Sequence, residues 1–158
     1  MPITGGSTTV TPTTNQTLVR KASDESVTSS DVLQNDNELN FAIGANETWI
    51  VDAYLIAEFG PTGQIQVGVN APAVSSLAVA ATISSPDVAP DYGYTDQLTT
   101  GIPLTLALSS TAGFVHVHCT IVCGASGGTF VIQWAQAVSN ATPTTVKAGS
   151  SLVANRIS

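Results

Sequence analysis

Charge is what this sequence has least of. Only 9% of its 158 residues are Asp, Glu, Lys or Arg, against about 25% in an ordinary globular domain. The basic residues are Arg20, Lys21, Lys147 and Arg156, and the net charge is −7. Docking on a phosphate backbone needs clustered Lys and Arg, so no direct nucleic-acid partner is expected. No run approaches the roughly 20 apolar residues of a membrane span, and no membrane partner is expected either. The opening MPITGGSTTVTPTT has neither a basic stretch nor an apolar one, so no secretory leader is expected. The sequons at Asn15, Asn46 and Asn140 therefore carry no expectation of glycosylation.

Cysteine is scarce as well. Cys119 and Cys123 fall in one strand-like run, four residues and roughly 13 Å apart at about 3.3 Å per residue. A disulfide needs Cα atoms within about 7 Å, so the two are expected as separate, buried, reduced thiols. Also missing are G-x-S-x-G, a P-loop and G-x-G-x-x-G. No cofactor is expected.

What is present is a strand pattern. Hydrophobic residues make up 43% of the chain, and Ser, Thr, Asn and Gln supply most of the polarity. A surface of hydroxyls and amides is coverable by a partner without stranding ions, which suits an assembly component better than a free enzyme. The length fits one domain able to bury about two-thirds of its unfolded surface. Residues 1–16 have no apolar period and read as an extended arm expected to dock on its own domain or a neighbouring subunit, with Met1, Pro2, Ile3, Thr4 and Val10 as the contact residues. Residues 17–158 read as the folded domain.

Short strands are expected at Thr17–Lys21 and Glu25–Ser29, then a turn at Asn35-Asp36-Asn37. The longest alternation follows. Trp49, Val51, Ala53, Leu55, Ala57 and Phe59 share one face, with Ile50, Asp52, Tyr54, Ile56 and Glu58 on the other. Apolar residues on both faces indicate a central strand, or one whose outer side meets a partner. Further strands are expected around Ile65–Val69, Leu77–Ile83 and Ile102–Leu108, the last at an edge because of Pro103. Residues 84–98 read as the longest loop. Residues 113–138 read as a β-hairpin: Val115, Val117, Cys119, Ile121 and Cys123 face the core from one arm, and Phe130, Ile132, Trp134 and Val138 from the other, across a Gly-rich turn. Ser151–Ile157 is a closing strand. No helical period appears. The fold expected is all-β: a single-domain antiparallel β-sandwich, jelly-roll-like, with an N-terminal arm.

Candidate chemistry is thin. His116 and His118 project to one face about 7 Å apart at the Cα, away from Cys119 and Cys123, so the strand does not offer all four to one metal. The pair is a weak metal candidate, and a polar strand face or a subunit contact is the plainer reading. Asp52 and Glu58 are roughly 20 Å apart along a strand, too far for a glycosidase pair at about 5–9.5 Å. Asp87, Asp91 and Asp96 match no calcium-loop spacing.

Two phrases, ESVTSSDVLQNDNELNFAIGANETWIVDAYL and GGTFVIQWAQAVSNATPTTVKAGSSLVANRI, resemble a family of small β-rich virion proteins of tailed bacteriophages, of the capsid decoration (cement) type. The resemblance covers roughly residues 25–59 and 127–157 and supplies no catalytic residue to carry over. It implies a non-enzymatic virion structural protein on the outer capsid surface, made in the host cytoplasm. The partners implied are a phage major capsid protein or other virion proteins, with a homotrimer as the assembly. Subunit contact is then expected at Ile50, Tyr54, Ile56, His116 and His118. The alternative is a tail-tip or fibre-head module binding a host glycan or protein through a loop bearing Asp87, Asp91, Tyr92 and Tyr94.

Overall fold

The computed structural model describes residues 15–60, 64–85, 88–96, 103–106 and 111–158. In chain order the strands are β1 (Gln16–Arg20), β2 (Glu25–Val27), β3 (Gln34–Ile43), β4 (Thr48–Glu58), β5 (Ile65–Asn70) and β6 (Val74–Ser85). They continue as β7 (Val88–Asp96), β8 (Leu104–Leu106), β9 (Ala112–Cys123), β10 (Gly128–Gln136), β11 (Thr144–Val146) and β12 (Ser151–Arg156). All pairings are antiparallel, and no helix occurs among the described residues.

Two sheets form the all-β sandwich the alternation calls for. The larger runs β1-β12-β4-β9-β6-β7, with β11 continuing beside β4 beyond β12 and β2 beside β11. The smaller runs β3-β10-β5-β8. β4 is central, as its two-sided apolar pattern requires, and β8 is an edge, as Pro103 signals. Alternation buries Trp49, Val51, Ala53, Leu55 and Ala57 of β4 with Val115, Val117, Cys119 and Ile121 of β9. They face Leu39, Phe41, Ile65, Val67, Phe130, Ile132 and Trp134 of the smaller sheet in one continuous core. Phe41 joins the layers, its ring 4.9 Å from Trp49 and 5.2 Å from Phe130. Each fully buried Leu, Ile or Phe contributes about 1.5–3 kcal/mol relative to exposure, so this core holds the sheets together.

Several expectations are corrected. The first is the hairpin over residues 113–138. β9 pairs with β4 and β6, and β10 with β3 and β5, so the two strands lie in opposite sheets and never pair. The Gly-rich segment between them is a crossover. A Cβ on Gly124 would lie 2.8 Å from the Ala73 carbonyl oxygen, and one on Gly127 2.7 Å from that of Ile43. Each glycine lets the crossover pass close to a neighbouring backbone: Ala73 leads into β6, the partner of β9, and Ile43 ends β3, the partner of β10. Alternation reports which face is buried, and two strands facing each other across a core show the same pattern as two lying side by side.

Second, Val138 is outside the core, 59% exposed, because β10 ends at Gln136. The buried Gln136 carboxamide holds the departing chain. Its Oε1 accepts from Ser30 and Asn140 N–H at 3.2 and 2.9 Å, and its Nε2 donates to the Thr142 carbonyl at 2.7 Å.

Third, the span expected as a loop contains a strand: Val88–Asp96 form β7, paired with β6 from Ala78↔Asp96 to Ser85↔Val88. Two prolines, a glycine and three aspartates give residues 84–98 the composition of a loop. Pro90 falls where the register slips between Ile83 and Ser85, on a strand that among the described residues pairs with β6 alone, and edges and bulges are where sheets tolerate proline. Gln16, expected within the arm, is the first residue of β1 and pairs with Asn155.

The turn expected at Asn35-Asp36-Asn37 is instead a bulge inside β3, where Val131 pairs with Asn40 but Gln133 with Asn35. The Asp36 Oδ1 accepts from the N–H groups of Glu38 and Leu39 at 2.9 and 2.8 Å, the local bonding that makes Asp a turn former. Asp36 is buried and meets Lys21, which is 1% exposed, at 3.0 Å. Lys21 also reaches Glu25 at 2.6 Å, and Trp134 Nε1 donates to Asp36 Oδ2 at 3.0 Å. Burial alone lowers the Lys21 pKa, but the bonds to Glu25 and Asp36 outweigh it and hold the ammonium above its ordinary value. Lys21 sits in the gap between β1 and β2, bonded through its backbone to Ser150 and Gly149 in the gap between β11 and β12.

Candidate functional site

The outer face of the larger sheet carries the residues that the core does not use. Antiparallel register sets them in rows across the strands. One row runs Leu18, Val153, Asp52, His118, Ala80 from β1 to β6. The next runs Arg20, Ser151, Tyr54, His116, Thr82, and a third pairs Ile56 with Phe114 and Ser84. The positions of Tyr94 and Tyr92 on β7 continue the first two rows, opposite Ala80 and Thr82. Leu18 is 71% exposed, Phe114 59%, Tyr54 49% and Ile56 36%. Four of the most exposed large apolar side chains among the described residues thus share one sheet face.

At its centre Asp52 bridges two histidines. Its Oδ1 lies 2.8 Å from His116 Nε2 and 2.8 Å from His118 Nδ1. The β4–β9 register makes the arrangement. His116 and His118 are two apart on β9 and so share a face, and Asp52 stands directly opposite His118. The Tyr54 ring, opposite His116, stacks on that imidazole at 4.7 Å with the planes 2° apart. Burial pushes the Asp52 carboxyl up, but the hydrogen bonds from His118 and His116 prevail and hold it below its ordinary value.

Cys119 points to the opposite side. Burial, and then the charge of Asp52, push its thiol up to about 12, so it stays protonated in the core. Cys123 is buried too, and neither cysteine is in a disulfide.

The other candidates separate. Ile50, Tyr54, Ile56, His116 and His118 all fall on this face. Met1, Pro2, Ile3, Thr4 and Val10 lie outside the described residues, as does Asp87. Asp91, Tyr92 and Tyr94 are in the edge strand β7 and not in a loop. Glu58 faces outward and pairs with Lys147 at 3.3 Å. Asp52 as the partner of both histidines was missed, as were Leu18 and Phe114. Phe114 has the same strand phase as His116 and was legible. The Asp52 contact depends on a register between strands more than 60 residues apart, for which the sequence holds no local signal.

No protein-family model matches the chain, and no curated protein matches it. Among solved structures it is similar to the tripod from the baseplate of bacteriophage Tuc2009, at 12% identity over 98% of this chain and 75% of that one, with TM-score 0.35. It is also similar to infectious bursal disease virus, Gt strain, at 13% identity over 99% of this chain and 43% of that one, TM-score 0.26. A third likeness is to the VP2 subviral particle of infectious bursal disease virus, at 13% identity over 100% of this chain and 42% of that one, TM-score 0.24. The chain spans less than half the length of the two bursal disease virus chains. Overlap at these scores is too loose to carry a role across.

Proposed function

We propose that this chain is a non-enzymatic structural protein of a virion, a capsid decoration protein that binds the outer surface of a phage head and stabilises it. One observation carries the adhesive part of this reading: the outer face of the larger sheet exposes Tyr54, Ile56 and Phe114 at neighbouring positions, with Leu18 two strands away on the same face. An apolar patch rimmed by polar groups marks an interaction surface. Ser151, Thr82, Ser84 and Thr120 surround it, and hydroxyls are desolvated at far lower cost than ions. The placement on a phage head rests on the sequence resemblance. In this reading the face around Ile50, Tyr54, Ile56, His116 and His118 joins copies of the chain as a homotrimer. Residues 1–16 engage the major capsid protein or a neighbour, and many copies multiply weak contacts.

Copy number in purified particles tests the placement: hundreds of copies per virion are expected, and a handful would place the chain at a tail tip or fibre head instead. The face is tested on the isolated protein. The double variant Ile56→Ser/Phe114→Ser is expected to shift the oligomer to monomer by light scattering with its thermal midpoint retained. An oligomer indifferent to both substitutions overturns the assignment of the face.

A further inference from the structure

Asp52, His116 and His118 offer three donor atoms, all within 4.8 Å of one another. We infer that these three side chains form a binding site for one divalent transition-metal ion of the zinc class, held by Asp52 Oδ1, His116 Nε2 and His118 Nδ1. The donor set selects the class, because imidazole suits zinc, copper, nickel and iron, whereas calcium and magnesium take oxygen shells. Three protein ligands with the remaining positions open is an established zinc arrangement.

The two N···O distances fit with little movement, while the two ring nitrogens, within 4.8 Å of each other, close toward the same spacing by turning about their side-chain bonds. Tetrahedral zinc bonds of about 2.0–2.1 Å put donors roughly 3.3 Å apart. The two N···O separations of 2.8 Å therefore open by about half an ångström when a proton between donors is replaced by an ion. Each imidazole needs only to carry its proton on the ring nitrogen turned away from Asp52.

Rigidity and charge favour the site. All three residues stand on β4 and β9, the central pair of the sheet, in unbroken register from Thr48↔Val122 to Glu58↔Ala112. The stacked Tyr54 ring restrains His116, and donors on rigid elements lose little freedom on binding. The nearest basic residue along these rows is Arg20, three strands from His116, or roughly 14 Å at about 4.8 Å per strand. The side chains of His116 and His118 keep 43% and 48% exposure, so an ion has an entry path and its free positions meet solvent or whatever docks on this face. Adhesion and ion binding are separable properties of the same surface.

The test uses the untagged full chain, stripped with a chelator and titrated with Co²⁺ and with Zn²⁺. Uptake of one ion per chain is expected, with visible Co²⁺ absorption bands that Zn²⁺ displaces. His118→Ala, His116→Ala and Asp52→Asn are each expected to weaken binding at least about tenfold, the effect reported for loss of even an outer-shell partner. Ile56→Ser/Phe114→Ser, which keeps the Tyr54 ring on His116, is expected to leave the stoichiometry unchanged, which separates this result from that for assembly. Circular dichroism of each variant shows that the fold is intact. Absence of saturable uptake by the folded chain, or uptake that survives His116→Ala/His118→Ala, overturns the site.

Discussion

Two carboxylates in this fold each gather several donors, Asp36 between the sheets and Asp52 on the outside of one, and water separates their roles. Asp36 is 2% exposed and receives Lys21, Trp134 Nε1 and two backbone N–H groups. With no solvent to stand in for a lost partner, every removal leaves an uncompensated charge or an orphan donor in a low-dielectric interior. Asp52 is partly exposed and its partners are two half-exposed imidazoles. Water replaces either at little cost, which leaves the donors available to a ligand. Similar chemistry is structural where it is dry and available for function where it is wet.

The comparison is sharpest at its buried end. Asp36→Ala and Lys21→Met are each expected to destabilise by about 3–5 kcal/mol, the usual cost of removing one partner of a buried ion pair, read as a fall in urea midpoint. Asp36→Ala is the larger of the two, since it orphans four donors.

Glu47 supplies the intermediate case. Its carboxylate accepts from Gly44 N–H, Trp49 Nε1 and Arg156, and these bonds hold its pKa below the ordinary value. Glu47→Gln is expected to cost about 1–2 kcal/mol at neutral pH, because a charged acceptor is replaced by a neutral one. A depressed carboxyl contributes above its unfolded value of about 4.3 and loses that contribution as pH falls through its lower folded value. The gap between wild type and Glu47→Gln therefore closes below about pH 4, which urea titrations across pH 3–7 would reveal.

At the exposed end, Asp52→Asn is expected to change stability by less than about 1 kcal/mol, as solvent-accessible pairs do. A loss as large as that of Lys21→Met would make the outer cluster structural and erase the contrast.

Much of the fold was legible because a strand writes its burial into every second residue. β4 is the clearest case, its buried set running Trp49, Val51, Ala53, Leu55, Ala57 as read from the sequence. The sequence reading failed where partners had to be chosen. β9 and β10 have the alternation of a hairpin, yet they belong to different sheets. β7 was hidden by a loop-like composition that includes Pro90, whose cost vanishes at an edge and a register slip that only pairing creates. The candidate site was half legible. His116 and His118 were placed on one face by their spacing, whereas Asp52 joined them through the register of β4 on β9.

By itself, then, the sequence determined the class of fold, the buried face of each principal strand, the separation of Cys119 from Cys123 and the local backbone bonding of Asp36. These follow from side-chain alternation and local hydrogen bonding, which act over a few residues. The tertiary structure alone decided which strands lie edge to edge and which face to face, that Lys21 would be buried against Asp36, and that Asp52 would stand between two histidines. Those outcomes depend on strands distant in the chain settling into one register, and a one-residue slip of β9 against β4 would turn both histidines toward the core.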